Sequence, residues 1–253
     1  MPVLVLALLG ALSACSGDDP EPTTDPGLPS QAALKSYFAA ITSGDADDAA
    51  KARSDVAAEG SPAAGYAAFV GASDEAVSAS GQDAEADADP VDVEEVDGGF
   101  KACVAGGQCV TWTELKGEDG RLVDFTISGV PLSESLVDLT AQAPIESPGL
   151  YRVQPGWAYQ LPSGVLDVVV TVTASDIPLS PKPGTYIESD KILKGSDDFP
   201  HPTTIEAGTS SPVVLTFPDS KGVKLDGQIT FELRLGDQGT ESIGFGLADP
   251  AAS

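Results

Sequence analysis

The chain offers few side chains from which a catalytic or metal site could be built. Its single histidine, His201, lies between two prolines in Phe199-Pro-His-Pro202, which is typical of a rigid surface loop. No serine stands in a Gly-x-Ser-x-Gly motif, and a catalytic triad would need this one histidine as its base. Zinc sites need several closely spaced ligands, and no nucleotide-binding motif is present. We therefore predict no catalytic residue, no metal and no cofactor, and a protein that is not an enzyme.

Cysteine chemistry is more informative, beginning with Cys15. Residues 2–14 are almost entirely apolar and uncharged. A membrane-spanning helix needs about 20 apolar residues, whereas this run has the length of a signal-peptide core. The core ends in Leu12-Ser13-Ala14-Cys15, which resembles the lipobox of bacterial lipoproteins. The resemblance implies a signal peptide over 1–14, acylation of Cys15, and an extracytoplasmic protein anchored to the cell membrane by lipid. A plain secretory signal with a chance cysteine is the alternative.

If Cys15 carries lipid, Cys103 and Cys109 remain as an even pair in an oxidising compartment. Opposed residues of an antiparallel pair have Cα atoms about 4.5–5.5 Å apart, which a disulfide tolerates. We therefore predict a disulfide across a hairpin. A redox-active pair would need a lowered thiol pKa, and Lys101 is the one basic residue close in sequence.

The net charge of −26 bears on the partners. Nucleic acids and anionic lipid surfaces attract basic proteins, so we predict no nucleic acid partner and no direct adhesion to lipid. The charge does not identify a cationic partner, because acidic surfaces also favour solubility. Residues 15–29 are polar, acidic and rich in proline, which predicts a disordered tether between the lipid and the fold.

Residues 30–80 have the spacing of three helices. Ser30, Asp45 and Ser61 are each placed to cap a helix, and Pro62 suits the first helical position. Apolar residues recur at helical steps in the first and third segments: Leu34, Tyr37, Phe38, Ile41, Tyr66, Phe69 and Val70. The acidic run 83–90 lacks the glycine and terminal glutamate of an EF-hand, which favours a solvated loop over a calcium site.

From residue 91 the apolar period becomes two, which predicts strands over 91–96, 100–104, 110–115 and 122–128. If residues 117–120 form a four-residue loop, Trp112 lies opposite Phe125 and Val110 opposite Ile127. A five-residue loop would place Trp112 opposite Asp124 and turn the apolar side chains to the wrong face. The first register puts these residues on one face: Phe100, Ala102, Val110, Trp112, Val123, Phe125 and Ile127.

Helices followed by an antiparallel meander indicate an α+β layer over residues 30–138. This region resembles the NTF2-like superfamily, through a first helix ending in Gly44-Asp45 and a late strand in Leu122–Gly129. The resemblance implies helices on a curved antiparallel sheet, forming a cone that can hold a ligand. Some members are enzymes with an acid or histidine base in the cone. No catalytic residue is carried over, because Tyr37 and Tyr66 sit among core-facing residues and Asp124 points away from the apolar face.

Residues 139–253 alternate with period two between Pro- and Gly-rich turns. The strongest strands cover 166–174, 213–217, 229–235 and 243–247, and weaker ones 151–153, 157–161 and 186–192. About seven strands over some 105 residues are typical of an immunoglobulin-like β-sandwich. The predicted fold class is therefore an NTF2-like α+β domain followed by an all-β immunoglobulin-like sandwich.

Three functions remain open. The chain could be a non-catalytic envelope lipoprotein that binds or assists another envelope protein. It could bind or transform a small apolar ligand in the cone, which a deep apolar cavity around Trp112 and Phe125 would favour. It could also be a spacer that holds the sandwich away from the membrane, which a filled cone would favour along with the first function.

Overall fold

In a computed structural model of the chain, the described residues are 27–81, 91–103, 109–189, 191–197 and 202–248. Their helices are α1 (Gln31–Ala40), α2 (Ala46–Asp55), α3 (Pro62–Ala79) and α4 (Leu132–Ser135). Their first eight strands are β1 (Val93–Val96), β2 (Gly99–Cys103), β3 (Cys109–Glu118), β4 (Arg121–Ile127), β5 (Val130–Pro131), β6 (Leu136–Asp138), β7 (Ile145–Ser147) and β8 (Tyr151–Gln160). The others are β9 (Leu166–Ala174), β10 (Leu179–Pro181), β11 (Thr185–Glu188), β12 (Lys191–Lys194), β13 (Ser210–Phe217), β14 (Gln228–Leu235) and β15 (Thr240–Gly246).

The strands form three antiparallel sheets. Sheet 1 has the order β1-β2-β3-β4-β5. Sheet 2 has the order β13-β9-β8-β6, and β7 also pairs with β8. Sheet 3 has the order β10-β14-β11-β12, and β15 also pairs with β14. Sheets 2 and 3 face each other across one apolar core, to which β9 contributes Val168, Val170 and Val172 and β14 contributes Phe231 and Leu233.

The predicted helix starts are confirmed. The side chains of Ser30 and Ser61 accept hydrogen bonds from backbone N–H groups three residues on, and Asp45 accepts one from Asp47. Pro62 occupies the first turn of α3. These signals are local: each cap satisfies an N–H group that the helix itself leaves without a partner.

The predicted fold class is wrong. The described residues are mostly β, and they do not form an NTF2-like cone followed by an immunoglobulin-like sandwich. Helix α3 packs against β8, β9 and β13 of sheet 2 as well as against sheet 1. Tyr159, Val169 and Val214 of sheet 2 belong to the same buried cluster as the helices. Alternation along β9 places Val169 on the face opposite Val168 and Val170, and the helices cover that face and bury it.

Sheet 2 contains residues from both sides of the predicted domain boundary. Strand β6 (Leu136–Asp138) lies before the predicted boundary at 138–139, yet it pairs with Trp157–Tyr159 in sheet 2. Whether residues 30–138 and 139–253 fold separately stays a prediction. The signal peptide over 1–14 and almost all of the tether over 15–29 lie outside the described residues.

The predicted β3–β4 register is wrong by two residues. Trp112 lies opposite Ile127 rather than Phe125, and Glu118 opposite Arg121 leaves a two-residue turn. A shift of two keeps each side chain on its own face, so Trp112, Phe125 and Ile127 are all buried as predicted. Irregular pairing between Thr113 and Gly117 then changes the alternation. Leu122 is therefore buried, while Val123 is only half-buried and Val110 is 40% exposed.

Most strands of the C-terminal region lie where the alternation placed them. Strand β9 has the predicted bounds, and β13, β14 and β15 cover nearly all of the predicted segments. The two weak segments at 151–153 and 157–161 are one strand, β8, irregular between Pro155 and Trp157. The segment 186–192 is instead a hairpin of β11 and β12.

Candidate functional site

The space between the helices and sheet 1 is filled by aromatic rings. The ring of Phe38 on α1 stacks on Trp112, with centroids 4.8 Å apart, and lies 5.1 Å from that of Phe100. Phe125 meets Phe38 edge-on at 5.4 Å, and Tyr37 meets Phe125 in the same manner. Among the described residues, these rings make the space around Phe125 a packed aromatic core.

A cleft opens beyond Trp112, at the end of sheet 1 that carries the disulfide. Its volume is about 740 Å³. The described residues that line it come from the turn after α1, the segment before β1, strands β2 and β3, and the turn between β8 and β9: Thr42, Val91, Ala102, Cys109, Val110, Trp112 and Ser163. Pockets for small molecules have volumes of roughly 300–1,000 Å³ and mostly apolar walls. The cleft has both properties.

The polar groups in the described lining of the cleft are neutral. The Thr42 hydroxyl donates to the Phe38 carbonyl at 2.8 Å. The indole Nε1 of Trp112 is buried and has no hydrogen-bond partner among the described residues. The described part of the lining contains no carboxylate and no basic side chain. These groups can orient a ligand, but they offer it no general acid or base.

The other face of sheet 1 holds a carboxylate with a structural role. Asp124 is buried and accepts hydrogen bonds from the Ser133 N–H, the Ser133 hydroxyl and the Lys116 ammonium group. These bonds hold the short helix α4 against β4. Asp124 points away from the aromatic core, as the sequence predicted, and it is fully engaged in tying these elements together.

A second buried polar group lies between the helices and sheet 2. Asp167 of β9 stands opposite Tyr159 of β8 and Thr216 of β13. The Thr216 hydroxyl donates to Asp167 Oδ1 at 2.6 Å. Tyr159 shares a hydrogen bond with Tyr66 of α3, and their ring centroids are 5.1 Å apart. Burial raises the pKa of Tyr66 to about 12, so its hydroxyl stays protonated at neutral pH.

Sequence reasoning identified some of these residues and missed others. Trp112 was placed on the correct face, and Tyr37 is structural as expected, because its hydroxyl donates to the Ala63 carbonyl at 2.7 Å. The pairing of Asp167 with Thr216 was missed. A sequence signal for burial of that face is the run Val168–Val170, because apolar residues at successive positions are consistent with a strand buried on both faces. His201 and Cys15 lie outside the described residues.

The predicted disulfide is formed. Cys103 and Cys109 are opposed at the end of β2 and β3, with Cα atoms 4.0 Å apart, and are joined by an S–S bond. Both residues are exposed on the face away from the aromatic core. The bond therefore fastens the hairpin at the rim of the cleft.

Removal of this disulfide is expected to destabilise the protein modestly. The closed loop is short, so the Cys103→Ala/Cys109→Ala double variant should lose at most roughly 3 kcal/mol of unfolding free energy. A urea titration monitored by tryptophan fluorescence measures the loss of unfolding free energy. Replacing both cysteines avoids leaving one of the pair as a free thiol that could form mixed disulfides. A variant that fails to fold would show that the hairpin depends on the bond.

Comparisons with known proteins do not assign the chain to a family. No family model matches it, and neither does any curated protein. Among solved structures it is similar to a functionally unknown protein from Listeria monocytogenes EGD-e. The identity is 12%, the TM-score is 0.31, and the alignment covers 44% of this chain and 83% of that one. So low a TM-score establishes neither a common fold nor a common function.

Within the described ranges, no helix combines the length and apolar character needed to cross a membrane. In the same part of the chain, no three His, Cys, Asp or Glu side chains are grouped as a metal site would require.

Proposed function

We propose that this chain is a lipid-anchored protein of the cell envelope, whose folded part binds a ligand without transforming it. The anchoring rests on the apolar run 2–14 and the lipobox-like end at Cys15. A tether from Cys15 to Gly27 would allow the fold to stand off the membrane, at a distance of up to about 3.3–3.6 Å per residue. Gly27 joins the fold by accepting a hydrogen bond from the N–H of Gly120 at the β3–β4 turn.

The observation that carries the binding function is the cleft at Trp112. Val91, Ala102, Val110 and Trp112 give it apolar walls, and Thr42 and Ser163 add hydroxyl groups. Such a lining favours a small, uncharged and mainly apolar ligand, because desolvating a charge there would find no opposite charge in the described walls. The described lining also contains no carboxylate or basic side chain that could act as a general acid or base, which favours binding without catalysis.

The folded protein is expected to bind a neutral apolar probe, N-phenyl-1-naphthylamine. The Val110→Glu variant is expected to bind this probe more weakly. Val110 is 40% exposed, so a glutamate there should leave the fold intact while placing a carboxylate in the cleft. We expect at least about 10-fold weaker binding, since burying an uncompensated charge costs more than the 1.4 kcal/mol of one decade. Probe fluorescence measures the affinity.

Val96→Glu is the matched control. Val96 also lies in sheet 1 and is 37% exposed, but it does not line the cleft. It should bind the probe as the wild type does. Equal loss in the two variants would assign the effect to surface charge in general, and failure of the wild type to bind would contradict the small-ligand function.

A protein partner is the second candidate. Strand β12 lies at an edge of sheet 3. Its residue Ile192, between Lys191 and Lys194 in the sequence, is 67% exposed. An exposed edge strand can pair with a strand of another chain. In that case an envelope cross-linking experiment would recover a partner whose capture is unaffected by Val110→Glu.

A further inference from the structure

We propose that the docking of helix α3 on sheet 2 is sensitive to pH, being tight when Asp167 is protonated and looser when it is ionised. The proposal concerns the contact between layers and does not depend on what the cleft binds. It rests on the position of one carboxyl group within that contact.

Asp167 lies on the face of sheet 2 that the helices cover. Val169, two residues along β9, and Val214, its partner on β13, both belong to the buried cluster that includes the helices. Because side chains two residues apart share a face, Asp167 and Thr216 point to the same side. Asp167 is only 7% exposed there.

The groups around Asp167 do not compensate a negative charge. Its hydrogen bond comes from the neutral hydroxyl of Thr216. Tyr159 stands beside it, and Tyr66 of α3 lies behind Tyr159. The charged residues of α3 are Asp74, which acts on Tyr66, and the exposed Glu75, so this helix supplies no positive charge.

No basic side chain offsets Asp167 among the residues the structure describes. Arg152, the basic residue of β8, pairs instead with Glu146 of β7. Strands β9 and β13 contain no other charged residue. Neighbouring α4 and β6 contribute only the exposed carboxylates Glu134 and Asp138. An ionised Asp167 would therefore be buried without a counter-ion, which is unfavourable.

The direction of the effect follows from linkage. Burial raises the pKa of Asp167 from 3.8 to about 6, even though the Thr216 hydrogen bond acts in the opposite direction. An exposed aspartate keeps the lower value, so the docked state holds the extra proton between about pH 4 and pH 6. The docked state is therefore favoured at acid pH and loses that advantage as the pH rises through 6.

Asp74 must be separated from this effect. Burial, and the nearby Asp45, also raise the pKa of Asp74 to about 6. Asp74 lies on α3 and Asp45 caps α2, so its ionisation would act between two helices rather than between α3 and sheet 2. Asp74 and Asp167 would titrate over the same pH range. Substitution of Asp167 should remove the pH dependence of α3 docking, whereas substitution of Asp74 should not.

Native-state hydrogen exchange of the full chain tests the proposal. The opening constant of α3 amides, corrected for intrinsic exchange rates, is measured from pH 4 to pH 7.5. We expect it to rise up to roughly 100-fold over this range in the wild type, the factor that about two pKa units allow. Asp167→Asn should flatten the profile, whereas the exposed Asp219→Asn control should keep it.

Three results of this experiment would overturn the proposal. If Asp74→Asn flattens the profile and Asp167→Asn does not, the proposal is wrong. If amides of β14 in sheet 3 open in parallel with α3, the effect is global stability and not docking, which also overturns it. Should Asp167→Asn fail to fold, Thr216→Val replaces it: loss of that hydrogen bond should move the midpoint to higher pH, and an unchanged midpoint would refute the proposal.

Discussion

Alanine at Gly99 is expected to prevent stable folding of sheet 1. A Cβ atom at this position would lie 1.8 Å from the Trp112 carbonyl oxygen and 2.9 Å from its carbon. Both are backbone atoms of the neighbouring strand, so no side-chain rotation can relieve the overlap. Strands β2 and β3 would have to separate beside Trp112, which lies in the centre of the aromatic core. Overpacking usually costs about 1–3 kcal/mol, and a backbone clash in a core should exceed that range.

Gly98→Ala is the matched control for this prediction. Gly98 has a φ of +75°, but no atom lies within 4 Å of its Cβ position. Its cost should be only the strain of the left-handed region, about 1–2 kcal/mol. Urea denaturation of the two variants compares them directly. Equal losses would mean that the close approach of Gly99 to Trp112 does not limit the stability of the sheet.

Alanine at Cys15 is expected to release the protein from the membrane. The proposed anchor depends on acylation of this one thiol, and each buried CH₂ of an acyl chain contributes about 0.8 kcal/mol. Without acyl chains, the acidic segment Ser16–Pro26 offers no basic residue that could bind anionic lipid. When cells that express the wild type or the Cys15→Ala variant are fractionated, the wild type should be found with the membrane. The variant should be found in the soluble fraction or as unprocessed protein.

Mass spectrometry of the wild type complements the fractionation. It should show a mature N-terminus at Cys15 carrying a diacylglyceryl group. The Cys103→Ala/Cys109→Ala variant is the control, because it removes the other cysteines and should stay with the membrane. An unmodified N-terminus at another residue would refute the lipoprotein hypothesis without affecting the cleft or its ligand.

The features that the sequence predicted correctly depend on short-range contacts. Each helix start follows from a cap and N–H groups within three residues, so Ser30, Asp45 and Ser61 were sufficient to predict it. The disulfide followed from two cysteines spaced to close one hairpin. Strand β9 has the predicted bounds because alternation and β-branched residues act along a single strand.

Other features depended on which surfaces meet in three dimensions. The β3–β4 register required knowledge of the irregular pairing between Thr113 and Gly117, where Glu114 has a φ of +50°. The cleft depends on Ser163 reaching Trp112 from 51 positions further along the chain. Alternation along two strands is compatible with several pairing registers, because it does not determine how many residues form the turn between them.

The placement of Asp167 shows the same limit most clearly. Alternation along β9 divides its side chains between two faces, but it does not say what covers the second face. In the fold that face meets α3, a helix that lies 88 to 105 residues earlier in the sequence, so Asp167 is buried beside Thr216 and Tyr159 instead of meeting water. Local sequence determined the strand and its two faces. Only the packing of helix on sheet decided that both faces are buried, because burial depends on the partner surface as well as on the residue itself.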